Sequence, residues 1–213
     1  YGLSIIYLRQ DNPFHQPDSA LKFILASEKA YSNSDEKKRA KLFALGIDSM
    51  EIREQKEKVS NHFFEQAKKQ NTEAALNNFI AQHPWFKRME EAKKFRNRVA
   101  FTAANQQNTW EAYQAFFLNY PEAKQSAEAR HNYDRLFYEH QTKSGKVSDY
   151  ETFLKEYPMS PYVNEAQYEI YALTTGIEKA EVYHSFIKNY PNNRNVKEAW
   201  RRVYVLSVTK NDP

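Results

Sequence analysis

The densest run of residues able to do chemistry lies between positions 85 and 98: Trp85, Phe86, Lys87, Arg88, Lys93, Lys94, Arg96 and Arg98. Cations beside aromatic rings can hold phosphates and stack bases, or they can dock an acidic stretch of another protein. At about 100° per helical residue, Lys87, Lys94 and Arg98 share one stripe with Trp85 nearby. These four residues form the candidate partner-binding patch. Glu90 and Glu91 lie in the same helix and weaken its field. The segment therefore reads first as a solvated helix face, then as a contact for an acidic protein or membrane surface, and only then as a nucleic-acid site.

The other reactive residue types are scattered. Six histidines are present: His15, His62, His83, His131, His140 and His184. The tightest polar cluster is His131, Asp134, Glu139 and His140. On a helix His131 and Asp134 are neighbours while His140 lies away from both, so ordinary surface residues explain the cluster better than a metal does. There is no Gly-rich phosphate loop, no His-Glu-x-x-His, no cysteine and no Gly-x-Ser-x-Gly elbow. The sequence thus predicts no enzyme, no metal and no cofactor. Trp85, Trp110, Tyr162 and Trp200 could mark a peptide groove, but aromatics between helix pairs more often wedge neighbouring helices.

What must position these residues is a repeat. Pro84, Pro121, Pro158 and Pro191 are spaced 37, 37 and 33 residues apart. Five residues before them stand Phe79, Phe116, Phe153 and Phe186, and immediately before them His83, Tyr120, Tyr157 and Tyr190. Seven and eight residues after them come Glu91-Ala92, Glu128-Ala129, Glu165-Ala166 and Glu198-Ala199. A period in the thirties with this register means stacked helix pairs rather than a globular enzyme core. The 4 glycines in 213 residues disfavour an all-β fold, and the 15 tyrosines and 14 phenylalanines supply bulk for thin inter-helix layers. The net charge of +4 with both signs interspersed does not require nucleic acid. No run approaches the roughly 20 apolar residues of a membrane span. The chain opens Tyr1-Gly2-Leu3 without methionine and stops at Asp212-Pro213, which reads as a piece of a longer protein whose export signal or anchor has been removed.

Each proline must follow a helix it cannot continue. Before it, an i, i+3, i+4 stripe marks one buried face: Leu76, Phe79, Ile80; Tyr113, Phe116, Phe117; Tyr150, Phe153, Leu154; and Tyr183, Phe186, Ile187. Asn71-Thr72 and Asn108-Thr109 stand where they can cap two of these helices. After each proline a second helix begins. Ser160-Pro161 reads as a capping serine and first-turn proline, and the buried stripe as Ala166, Ile170, Leu173. The equivalents are Ala129, Tyr133, Leu136; Ala199, Val203, Leu206; and Ala92, Arg96, Val99, where the arginine is expected to snorkel or to pair with an acid of the long helix over 48–69. His83 replaces a tyrosine and reads as a semi-buried packing residue. The glutamate before each alanine suits the helix dipole better than it suits a ligand site.

The first 70 residues are helical in a looser pattern. Leu3, Ile6 and Tyr7 form a short apolar face. Pro17-Asp18 opens a helix with Leu21, Ile24 and Leu25 inward. Ser34 or Asp35 starts another, stopped by Gly46, and a long charged helix from Asp48 to about Lys69 carries Ile52, Val59, Phe63 and Ala67.

Phe153-Leu154-Lys155-Glu156-Tyr157-Pro158-Met159-Ser160 resembles the Phe-Leu-x-x-Tyr-Pro-x-Ser subgroup of tetratricopeptide repeats found in bacterial cell-envelope proteins. The resemblance covers residues 71–210. It departs at Thr72, Thr109, Lys146 and Lys179, where a small residue is usual, in the glycine missing from each second helix, and at Phe79, Phe116, Phe153 and Phe186, where alanine is common. It implies an α-solenoid of antiparallel helix pairs, with about twelve helices: diverged repeats over 1–70 and four registered units over 71–213. It also implies a non-catalytic scaffold for a protein or peptide partner, on the periplasmic side of a cell envelope or, alternatively, in the cytoplasm. The rival readings are a structural spacer or cap for a further domain and, behind it, a nucleic-acid-binding helical repeat.

Overall fold

The four prolines sit in four copies of one backbone joint. In the computed structural model, which describes residues 1–209, the residue before each proline donates its N–H to the phenylalanine carbonyl four positions earlier: His83, Tyr120, Tyr157 and Tyr190, at 2.8–3.0 Å. Its own carbonyl then accepts from Phe86, Ala123, Ser160 or Asn193, and those carbonyls accept from Met89, Ser126, Val163 or Val196. The pre-proline torsions agree closely, with φ from −123° to −133° and ψ from 53° to 59°. Proline forbids a helical predecessor and has no N–H to lose, so one residue type ends the first arm and the chain's own amides carry the turn.

The described residues form twelve helices and no strand: α1 (Gly2–Leu8), α2 (Pro17–Ser32), α3 (Glu36–Ala44), α4 (Ser49–Gln70), α5 (Glu73–Gln82), α6 (Met89–Gln107), α7 (Trp110–Asn119), α8 (Ser126–Gln141), α9 (Val147–Glu156), α10 (Val163–Thr174), α11 (Ala180–Asn189) and α12 (Val196–Thr209). The fold is all-α, as the sequence predicts. It divides into two units within α6, one over Tyr1–Ala103 and one from Ala104 onward.

In the first unit α1 packs on α2, α2 on α4, and α4 on α5. Ala20, Ile24, Ile52 and Val59 form one core, while Phe64, Ala67, Leu76, Phe79, Phe86 and Ala92 form another. Asp35 caps α3 through the Lys38 N–H at 2.7 Å, and Asp48 caps α4 through Met50 and Glu51. Two expectations change here. Leu3 and Ile6 point outward, and it is Ser4 that α1 buries. On α4 it is Phe64 that is fully buried, with Phe63 half-buried beside it.

The second unit contains the pairs α7–α8, α9–α10 and α11–α12. The arms of the first pair run antiparallel. Trp110 at the start of α7 meets Phe137 and His140 near the end of α8, while Phe117 near the end of α7 meets Tyr133 in the middle of α8. Tyr150, Phe153, Ala166, Ile170, Tyr183, Phe186, Ala199 and Val203 form the core.

The register holds to the residue in both units. The four phenylalanines are 1–4% exposed, and Ala92, Ala129, Ala166 and Ala199 are all 0% exposed. Each alanine is closed off from solvent, so a larger side chain there would overpack the site. Thr72 and Thr109 cap α5 and α7, accepting from Ala75 and Ala112 at 3.2 Å. Asn71 and Asn108 do a different job, ending the preceding helices in the left-handed region at φ 50° and 49°. Gly145, 37 positions beyond Asn108, takes the same conformation at φ 66°. Two sequence expectations are corrected. Ser160-Pro161 precede α10, with Ser160 Oγ accepting from the Tyr162 N–H inside the joint. Leu173 is exposed, because the last turns of α10 direct Tyr171 toward α11 instead.

Candidate functional site

The proline joint at Pro84 is anchored to α4 by a chain of polar contacts. Glu57 accepts from the Lys87 backbone N–H at 3.2 Å, and Asn61 Oδ1 accepts from Arg88 at 3.0 Å. Trp85 Nε1–H donates to Ser60 Oγ at 2.9 Å. The Lys56 ammonium lies over the face of the same indole, 3.9 Å from the ring centroid. Lys56 is almost fully buried and is neutralised by Glu28 at 2.6 Å. A buried ammonium needs such compensation, since desolvating an unpaired charge is costly.

Ser60 decides the state of His83. Its hydroxyl hydrogen goes to the Lys56 carbonyl at 3.0 Å, and one lone pair accepts from Trp85. The remaining contact, with His83 Nδ1 at 3.1 Å, must then have the imidazole as donor. His83 is thus the Nδ1–H tautomer, assigned from its hydrogen-bond network, and Nε2 is left as a bare acceptor. That nitrogen is buried without a hydrogen-bond partner. The ring stacks on Phe79 at 4.8 Å and lies against Phe63 and Trp85. Burial in this aromatic box lowers its pKa to about 4, because charging the ring would cost its hydration. The semi-buried packing role expected for His83 becomes that of a fully buried, neutral, hydrogen-bonded residue. A serine and a histidine in contact form the first half of a nucleophile–base pair. Here, however, both side chains are 0% exposed and the serine proton is already committed, so no substrate can reach them.

The predicted patch is only partly assembled. Lys87, Lys94 and Arg98 are exposed, and among the described residues no ion pair involves them. Their neighbours Arg88 and Lys93 are neutralised by Glu91 and Glu90 at 2.6 and 2.9 Å. Lys94 and Arg98 lie one turn apart on α6, with Arg98 over the Phe95 ring at 4.4 Å. Lys87 belongs to the joint before α6, so the helical stripe does not extend to it. Trp85 is half-buried and engaged on Ser60 and Lys56, and Phe86 is buried, so neither ring is free for stacking. Arg96 is half-buried and reaches Asn77 on α5 and its neighbour Asn97.

The remaining candidates resolve individually. Trp110 and Tyr162 wedge between helices, Tyr162 stacking on Tyr138 at 4.9 Å, whereas Trp200 is half exposed against His184. Glu91 and Glu198 are engaged by arginines of their own repeat. Among the described residues no group of three or more histidine, aspartate or glutamate side chains is placed to hold a metal, and no helix is long and apolar enough to cross a membrane. Burial raises the pKa of Asp134 on α8. The class that the fold defines is an all-α protein of registered helix pairs. No family model matches the chain, and no curated protein matches its sequence.

Proposed function

We propose that the protein is a non-catalytic scaffold of tetratricopeptide-like helix pairs that binds an acidic protein segment through Lys87, Lys94 and Arg98. One observation carries this reading. Arg88 and Lys93 in the same stretch are neutralised by Glu91 and Glu90, whereas these three stay exposed with no ion pair to a described residue. Unpaired cations attract carboxylates, and the field steers association at low ionic strength. The engagement of Trp85 and Phe86 in the interior favours carboxylates over bases, because sequence-tolerant nucleic-acid binding leans on free aromatic faces. The envelope assignment rests on the Phe-Leu-x-x-Tyr-Pro-x-Ser resemblance.

The test is the triple variant Lys87→Glu, Lys94→Glu, Arg98→Glu, titrated with a fluorescent glutamate-rich peptide and a single-stranded DNA of equal charge. We expect peptide binding that weakens with salt and is lost in the variant, with helical ellipticity unchanged. Peptide binding that is the same in both proteins defeats the proposal. Tighter binding of the DNA replaces the acidic peptide with nucleic acid.

A further inference from the structure

The last helix presents an apolar strip whose counterparts in the earlier repeats are covered. The 33-residue register places Tyr204 at the position of Tyr171, and Val208 at that of Thr175. On α10 Tyr171 faces α11, meeting the Phe186 ring at 5.2 Å and Tyr183 at 6.4 Å, and Thr175, which closes α10, is only 7% exposed. The arrangement recurs one pair earlier. Tyr138, at the register of Thr175, meets Phe153 at 5.1 Å and Tyr150 at 6.5 Å on α9. In both cases the late turns of a second arm receive an aromatic pair spaced i, i+3 from the following first arm. On α12, Tyr204 is 70% and Val208 50% exposed, with Val205 and Trp200 exposed alongside. A helix that closes a stack carries a polar outer face, and this one carries the reverse.

We propose that the outer face of α12 is an acceptor for one further amphipathic helix of the first-arm type, bearing aromatic side chains at i and i+3. The fit is continuous with the interface that α8 and α10 already make, and charge points the same way. α12 holds Lys197, Arg201 and Arg202 against the single acid Glu198, whereas α9, a known ligand of such a face, holds Asp149, Glu151 and Glu156 against Lys155. A second copy docking α12 on α12 would bring like charges together. The α12 face uses none of the residues of the cationic patch and stands or falls without it.

Two experiments decide. In the first, residues 177–209 are duplicated in tandem within the full chain, which continues the period and offers the original α12 a first arm. We expect amides 203–208 of the original helix to exchange at least tenfold more slowly than in the parent, and Tyr204→Asp to abolish that gain. Unchanged exchange in a duplicated segment that is itself helical overturns the proposal. In the second, a stapled peptide of residues 146–157 is titrated onto the full chain while Trp200 fluorescence is followed. Saturable binding lost in Tyr204→Asp supports the acceptor face; no saturable binding up to millimolar peptide overturns it, and this arm decides if the duplication fails to fold. A parent chain that sediments as a dimer, dissociated by Tyr204→Asp, also overturns it by making a second copy the occupant.

Discussion

Acidification tests His83 directly. The folded protein holds the ring neutral with a pKa of about 4, while the unfolded chain lets it titrate near its ordinary 6.5. Its folded pKa is therefore the lower one, so between these values the unfolded state binds the proton that the native state refuses. Stability contributed by the neutral ring is intact above pH 6.5, falls as pH drops, and stops falling below about pH 4. At the full slope of 1.36 kcal/mol per pH unit, the shift costs about 2 kcal/mol between pH 7.5 and pH 5. Carboxylates titrate in part of the same range, so the measurement must be differential. Urea unfolding of the parent and of His83→Gln at pH 7.5, 6.5, 5.5 and 5 isolates the histidine term, since the glutamine does not titrate. The parent should lose about 2 kcal/mol more than the variant over that span. An NMR titration should also show the His83 imidazole still neutral at pH 5, as the Nδ1–H tautomer. A pH-independent difference between the two proteins, or a His83 ring titrating near 6.5, refutes the burial and tautomer argument together.

Other outcomes follow from the packing. Phe153→Ala removes a ring that is 1% exposed and wedged against Tyr138 and Tyr157; thermal unfolding should register a loss of about 3–5 kcal/mol. Ala166→Leu adds bulk at a fully buried helix contact and should cost about 1–3 kcal/mol by urea unfolding. Asn108→Val forces a β-branched residue into the left-handed region and should cost about 1–2 kcal/mol, while Asn108→Gly should be close to neutral.

The sequence reveals the periodic features and hides the long-range ones. The buried phenylalanines, the four fully buried alanines and the threonine caps are legible because each obeys a local spacing repeated four or two times. Leu173 satisfies the same spacing yet is exposed, because α11 claims the last turns of α10 and rotates the buried face away from the first arm. Phe64 lies one residue from the predicted Phe63; a sparse apolar pattern on a long charged helix does not fix its rotation to within one residue. The Glu28–Lys56–Trp85–Ser60–His83 network was invisible for another reason. Its members lie 23 to 29 positions apart along most links and belong to no period; the one hint was a histidine in a tyrosine register. The cationic patch was half legible, in that the exposure of Lys94 and Arg98 follows from the helix, while the diversion of Trp85 inward depends on Ser60 and Lys56.

The proline joint has a consequence for how such a chain can change. Its three hydrogen bonds are drawn between main-chain atoms, and their geometry is the same whether the residue before proline is histidine or tyrosine and whether the residue two beyond is Phe86, Ala123, Ser160 or Asn193. The joint is indifferent to most of the side chains it carries. Mutation can therefore rewrite the outward surface of any hairpin while the angle between its arms stays put, and a hairpin can be copied or deleted as a cassette without designing a new corner. Recognition and architecture are thus written in different atoms, which lets one drift while the other holds.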